Sequence, residues 1–184
     1  MLSAALLSLT DPGIKTILDV GCGDGAISKL MRDKNPGLTI SGIDILEREN
    51  SLIQVKLYDG KHIPYGDDSF DASMFIDVLH HLHYIKQLLE EAKRVTRRYI
   101  LIKDHLYKSK IDFRILKFMD KVGNKPHGVA LEYNYLQQKE WETIFKELGL
   151  KIIKTTTAIP LYPFPFNMLF GRRLHFICLL EIEK

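Results

Sequence analysis

Residues 17–25 read Ile-Leu-Asp-Val-Gly-Cys-Gly-Asp-Gly, and the rest of the chain is organised around them. An apolar run ends in an acidic residue, Asp19, and glycines follow at Gly21, Gly23 and Gly25. Ala26–Asp33 then carries apolar residues at Ile27, Leu30 and Met31, a helical spacing. The stretch therefore predicts a strand, a tight turn and a helix. Glycine lets bare backbone approach a ligand and tolerates positive φ. The helix start adds free N–H groups and a positive dipole end. One glycine would serve an ordinary strand-to-helix turn. Three, with Asp19 beside them, point to a nucleotide-type cofactor.

The whole chain is consistent with one domain, 1–184, large enough to bury a substantial core. Net charge is only +3, well short of an arginine-rich nucleic-acid binder. Cys22 and Cys178 lie far apart, which predicts free thiols in a reducing, cytoplasmic setting and no disulfide framework. Met1–Thr10 is apolar but short and lacks a basic start, so it does not read as a signal peptide. No apolar run reaches the roughly 20 residues that span a bilayer.

Outward from the glycine turn, strands and helices alternate. Leu2–Leu9 reads as a short helix before a first strand at Lys15–Val20, and Asn35-Pro36-Gly37 stops the helix after the turn. Further strands are predicted at Leu38–Ile45, Leu52–Tyr58, Phe70–Val78 and Arg98–Asp104. Tyr84–Thr96 reads as a helix with Ile85, Leu88, Leu89, Ala92 and Val95 inward and a Glu90–Arg94 pair outward. Lys110–Val122 has helical spacing at Ile111, Ile115, Met119 and Val122, with a basic stripe of Lys110, Arg114, Lys117 and Lys121. A loop-like Gly123–Asn134 leads to a helix at Leu136–Leu148, then strands at Lys151–Ile159 and Leu174–Ile182. The alternation predicts an α/β fold with a mostly parallel sheet covered on both faces.

Two cofactors fit this frame. Asp44, at the end of the second strand, can accept hydrogen bonds from ribose hydroxyls, and Gly21, Gly23 and Ala26 satisfy a dinucleotide fingerprint compatible with NAD. Three features weigh against NAD. Asp19 suits an α-ammonium and is poor company for a pyrophosphate. Asp59-Gly60 offers an acceptor for an adenine amino group. The chain closes with two strands and shows no second domain for a hydride acceptor.

Asp-Val-Gly-Cys-Gly-Asp-Gly, then Gly-Ile-Asp-Ile, then Asp-Gly-Lys-His-Ile-Pro-Tyr-Gly-Asp-Asp-Ser-Phe-Asp, then Asp-Val-Leu-His-His-Leu, resembles the class I S-adenosylmethionine-dependent methyltransferases. The likeness is to their small-molecule branch, which includes the quinone methyltransferases, and it covers roughly Ile14–Asp104. It implies a Rossmann-like seven-stranded sheet with an antiparallel last strand. It also implies that Asp19, Gly21 and Gly23 hold the methionine part of S-adenosyl-L-methionine and that Asp44 holds the ribose, with Ile45 against the adenine. Asp59 would take the adenine amino group with Gly60 nearby, and Asp77 and Val78 would line the floor by the sulfonium. A catalytically inactive methyltransferase-like binding module is the reading from another class; the intact Asp19, Asp44 and Asp59 weigh against it.

Methyl transfer from a sulfonium is an in-line displacement in which the protein supplies alignment and, for some acceptors, a base. Candidate catalytic residues are His81, after the fourth strand, with Asp104 and His105 at the end of the fifth; His80 ranks below His81. His83 reads as a solvated or helix-start residue, and His62 and His175 as structural. Arg114 and Tyr133 are the substrate candidates, with His127 and Tyr135 in the same stretch, and 105–135 is a candidate substrate cover. Pro160–Arg173, with its aromatics and Arg172 and Arg173, could serve as a lid, a dimer contact or a peripheral membrane contact. The sequence leaves monomer and homodimer both open. The Asn/Asp-Pro-Pro-Tyr/Phe motif of exocyclic-amine DNA methyltransferases is absent after the fourth strand, so nucleic acid is disfavoured as acceptor. No carboxylate spacing predicts a metal site.

Overall fold

The structure is a computed structural model that describes residues 1–124, 132–157, 159 and 173–183. Seven strands form one sheet in the order β3-β2-β1-β4-β5-β7-β6. They are β1 (Thr16–Val20), β2 (Thr39–Asp44), β3 (Val55–Leu57), β4 (Phe70–Ile76), β5 (Thr96–His105), β6 (Leu150–Thr156) and β7 (His175–Ile182). The pairs from β3 to β5 are parallel, and β7 runs antiparallel to both β5 and β6. The order reverses at β1, whose neighbours are β2 and β4. That places a crevice at the carboxyl ends of β1 and β4, where open α/β sheets bind ligands.

Five helices surround the sheet among the described residues: α1 (Leu2–Leu9), α2 (Ala26–Lys34), α3 (Ile85–Val95), α4 (Lys110–Asn124) and α5 (Gln138–Glu147). Strand alternation sorts side chains between two cores. Leu18, Val20, Ile100 and Ile102 face α3 and α5, where Leu88, Leu89, Trp141 and Phe145 pack. Ile17, Met74, Tyr99 and Leu101 face the other side with Leu6 of α1 and Met31 of α2. Burying each large apolar side chain contributes about 1.5–3 kcal/mol, so both faces are well anchored. No helix is long and apolar enough to cross a membrane among the described residues.

The elements depart from expectation in instructive places. β4 stops at Ile76 because Asp77 has φ 57°, which no extended strand admits. β3 shrinks to Val55–Leu57, and β6 begins at Leu150 and ends at Thr156. Arg94 pairs with Glu91 and Asp67 and also donates to the Ile63 and Tyr65 carbonyls, so it clamps the 63–67 turn and does not pair with Glu90. The largest difference is in α4. Of its spaced apolar residues, Ile111 and Val122 are 59% and 61% exposed, while Asp112, Leu116 and Asp120 are buried. Helical spacing locates a stripe but not the direction it faces. Here buried polar partners hold the acidic residues inside: Tyr135 donates to Asp120, and the backbone N–H groups of Lys108 and Ser109 donate to Asp112.

Candidate functional site

The glycine turn is held by backbone and by one carboxylate. Gly21 N and Cys22 N donate to the Ile43 carbonyl at 2.8 and 3.1 Å, tying the turn to the end of β2. Gly23 N donates to Asp44 Oδ2 at 2.8 Å, and Leu46 N donates to Asp44 Oδ1 at 2.9 Å. Gly21, Gly23 and Gly25 all have positive φ. At Gly21 a Cβ would stand 2.7 Å from Val78 Cγ2, and at Gly25 it would stand 2.3 Å from Ile53 Cγ1. At Gly23 a Cβ would meet nothing within 4 Å, so it would project into open space above the turn. The first and third glycines permit close packing. The second keeps the approach to the turn clear.

That open space belongs to a cavity of about 710 Å³. Gly21, Gly23, Asp44, Ile45 and Gly60 line one end; Asp77, Val78 and His81 line the other. Ile45 is 59% exposed, a flat apolar surface of the kind an aromatic base can cover. Tyr58, Tyr84 and Arg48 also line the cavity, and no motif in the sequence singles them out. His83 and Glu132 meet at 2.7 Å on its rim.

Asp19 lies beneath the turn and is not part of the cavity lining. Ser28 Oγ donates to its Oδ2 at 2.5 Å, while Oδ1 is buried with no partner among the described residues. Burial pushes the carboxyl up to about 7, against the Ser28 hydrogen bond and with help from the nearby Asp44 charge. An orphaned carboxylate oxygen below a glycine turn fits a cationic ligand group above it, which the ammonium of S-adenosylmethionine would provide. Asp59 is placed differently from expectation. Its side chain is 55% exposed, accepts from Lys61 N and His62 N, and contacts His62 Nδ1 at 2.6 Å. It closes its own turn, and only Gly60 of that pair lines the cavity. The local turn satisfies the carboxylate with two backbone donors before any ligand arrives.

The opposite end is a dense polar cluster. Asp77 grips the buried Lys103 at 2.5 and 2.6 Å. Burial opposes the Asp77 charge, but Lys103 and His105 outweigh it and hold the carboxyl below its ordinary range. Asp104 is fully buried and accepts from Leu79 N at 2.9 Å and His105 N at 2.7 Å, with His80 Nδ1 at 2.7 Å. It is sealed from the cavity and cannot touch a substrate. His105 is 7% exposed and sits behind Asp77, with Trp141 donating to its carbonyl. Of the three catalytic candidates, His81 alone lines the cavity. Its ring stands 4.0 Å from that of His80. Burial and the His80 charge hold it down at about 4, so it is neutral at physiological pH. His80 moves the other way, up to about 10, because the Asp104 and Asp120 carboxylates outweigh its burial.

Three members of this cluster were invisible in the sequence. Asp120 arrives from α4 and Lys103 from mid-β5, and His175 of β7 places Nδ1 3.3 Å from Lys103 Nζ. Each looks like an ordinary charged or strand residue in the chain; only the β5–β7 pairing and the packing of α4 bring them together. The substrate candidates fare less well. Arg114 is exposed on α4, and Tyr133 is half-buried under Lys117, whose Nζ lies 4.6 Å from its ring centroid. Neither lines the cavity, whereas their neighbour Glu132 does. His127, Arg172 and the rest of 160–172 lie outside the described residues.

Residues 3–155 match the methyltransferase domain family model. An uncharacterized protein of Methanocaldococcus jannaschii is 31% identical over 148 residues, spanning 77% of this chain and 67% of its own. The demethylmenaquinone methyltransferase of Thermotoga maritima is 29% identical over 89 residues, spanning 45% of this chain and 39% of its own. Among solved structures, the putative methyltransferase in complex with the Trm112 activator of Haloferax volcanii superposes with a TM-score of 0.72 at 14% identity, covering 100% of this chain and 89% of that one. The chain spans between 34% and 67% of the length of its first few curated relatives. The matched family, the sheet order and the glycine turn agree: the chain belongs to the methyltransferase domain family, as a class I, S-adenosylmethionine-dependent member.

Proposed function

We propose that this protein transfers the methyl group of S-adenosylmethionine to a small-molecule acceptor bound at the His81 end of the cavity. The observation that carries this reading is the continuity of one cavity from the glycine turn to His81. Its size falls in the range of small-molecule sites. In this reading Asp44 holds the ribose, the Gly21–Gly23 backbone cradles the methionine part, and Asp19 receives its ammonium through the turn. Ile45 and Gly60 bracket the adenine, and Asp77 and Val78 form the floor by the sulfonium. Asp59 shapes the turn that presents Gly60. His81 contacts the acceptor, while Asp104 and His105 act behind it as positioning residues. The acceptor enters past His83 and Glu132, so the 105–135 segment contributes part of its cover. Arg114 is at most a distant electrostatic contact. The Thermotoga relative's acceptor, a demethylated quinone, makes hydroxylated ring compounds the first class to test.

Calorimetry with S-adenosylhomocysteine and with NAD tests the cofactor. Binding of the first and not the second is expected, and the reverse would overturn the proposal. Turnover on a panel of phenols, quinols and alcohols then separates an enzyme from an inactive module.

A further inference from the structure

Three ligand-type side chains converge beside the acceptor end of the cavity. His80 and His81 come from the short helical turn after β4, and Asp120 comes from α4. One ligand atom from each lies within 4.8 Å of the other two. His80 is fully buried, yet its Nε2 has no hydrogen-bond partner among the described residues, and His81 Nδ1 is likewise buried and unpartnered. Asp120 Oδ1 stands 3.4 Å from His80 Nε2, a spacing that suits two ligands of one ion better than a hydrogen bond. Two orphaned imidazole nitrogens in one buried spot call for an occupant.

The surroundings are built for a cation. His80 Nδ1 faces Asp104 Oδ1 at 2.7 Å, which fixes a proton on Nδ1 and leaves the Nε2 lone pair for a ligand. The Tyr135 hydroxyl donates to Asp120 Oδ2 at 2.7 Å, which orients Oδ1. Histidine and carboxylate ligands steadied by outer hydrogen bonds are the common pattern of metal sites. The charges agree. Three carboxylates, Asp77, Asp104 and Asp120, converge here; Lys103 is engaged with Asp77, and the His80 ring lies between Asp104 and Asp120. His105, His175 and Tyr135 pack around the spot.

We propose that His80 Nε2, His81 Nδ1 and Asp120 Oδ1 form a buried three-ligand site for a divalent transition-metal cation of the zinc class, beside the His81 end of the cavity. Two imidazoles and one carboxylate are a donor set that zinc accepts in catalytic sites. The use of the cation rests on the methyltransferase reading. The cation would acidify an acceptor hydroxyl at the His81 end: the hydroxyl proton would leave to solvent, and the oxygen would form the new O–CH3 bond as the S–CH3 bond breaks and the electron pair returns to sulfur. Metal binding itself does not depend on that reading.

The test uses the full, untagged chain stripped with a chelator. Co2+ titration should produce visible absorption of a low-coordinate complex at one ion per chain, and Zn2+ should displace it. His81→Gln and Asp120→Asn should each weaken Co2+ by about tenfold or more, with circular dichroism confirming the fold. If Asp120→Asn does not fold, His81→Gln decides. No stoichiometric Co2+ uptake by the parent chain, or unchanged affinity in the folded variants, would overturn the site. S-adenosylhomocysteine calorimetry on the same stripped protein keeps the two readings apart. Binding without Co2+ uptake defeats the metal site alone, and Co2+ uptake without binding defeats the methyltransferase reading alone.

Discussion

The two ends of the cavity are built by opposite means. The cofactor end is made of backbone: a glycine turn stitched to the Ile43 carbonyl, one carboxylate bracing two N–H groups, and residues within one βαβ unit. The His81 end is made of side chains from the turn after β4, from β5, α4 and β7, and from the 132–136 segment, which meet only when the sheet is complete. Backbone geometry is dictated by a few adjacent glycines. A buried charge network depends on every element that delivers a member, so a single change there spreads further.

The largest effect expected is at the side-chain end. Asp104→Asn leaves His80 and His105 without their shared anion, and breaking such a buried arrangement costs about 3 kcal/mol or more. Urea unfolding should show the loss. A midpoint equal to that of the parent chain would mean that the network is not what holds this end. At the backbone end the effect should fall on ligand affinity. Asp44→Ala removes the brace for Gly23 and Leu46 together with the proposed ribose contact, and should weaken S-adenosylhomocysteine by about a hundredfold, read by calorimetry. Gly21→Ala sets a Cβ against Val78 at positive φ and should weaken the same ligand by about tenfold. Adding Val78→Ala should recover part of that loss. No recovery would show that the contact with Val78 is not the reason for the glycine.

Asp19 links the two styles, a buried side chain under a backbone turn, and its effect depends on pH. With the folded carboxyl raised to about 7 from an ordinary 3.8, the unfolded chain releases this proton first. Stability from this group therefore falls as pH rises between those values, by up to about 4 kcal/mol. Asp19→Asn should remove that slope, so that without ligand the variant melts above the parent at pH 8 by more than it does at pH 5. Affinity of the parent for S-adenosylhomocysteine should rise severalfold from pH 6 to pH 8 and stay flat in the variant. The smallest effect is expected for Arg114→Ala, since this exposed side chain lines neither end. A change in turnover beyond about twofold would restore it as a substrate contact.

How much was legible follows the same division. The glycine turn could be read, and Asp44 and Gly60 line the same cavity, because close backbone approach demands particular residues at particular spacings. Asp59 was misread in its detail. The resemblance implies an adenine contact at Asp59, whereas in the structure its carboxylate accepts from Lys61 N and His62 N. In α4 the spacing of Ile111, Ile115, Met119 and Val122 marks a stripe of which only Ile115 and Met119 pack inward, because periodicity carries no information about which partners await a buried aspartate. His80, ranked below His81, is the hub of the cluster, and nothing in a His-His pair says which ring turns inside.

By itself the sequence determined the fold class, the methyltransferase family with its cofactor, and the presence of the glycine turn, since these rest on local rules of backbone conformation and on strands that alternate with helices. Only the tertiary structure decided the acceptor end. Lys103, Asp104, Asp120 and His175 are scattered over more than seventy residues. Their meeting depends on the antiparallel docking of β7 against β5 and on the buried face of α4. Charge interactions act through space, so the chemistry of that end is set by distances that exist only in the folded chain.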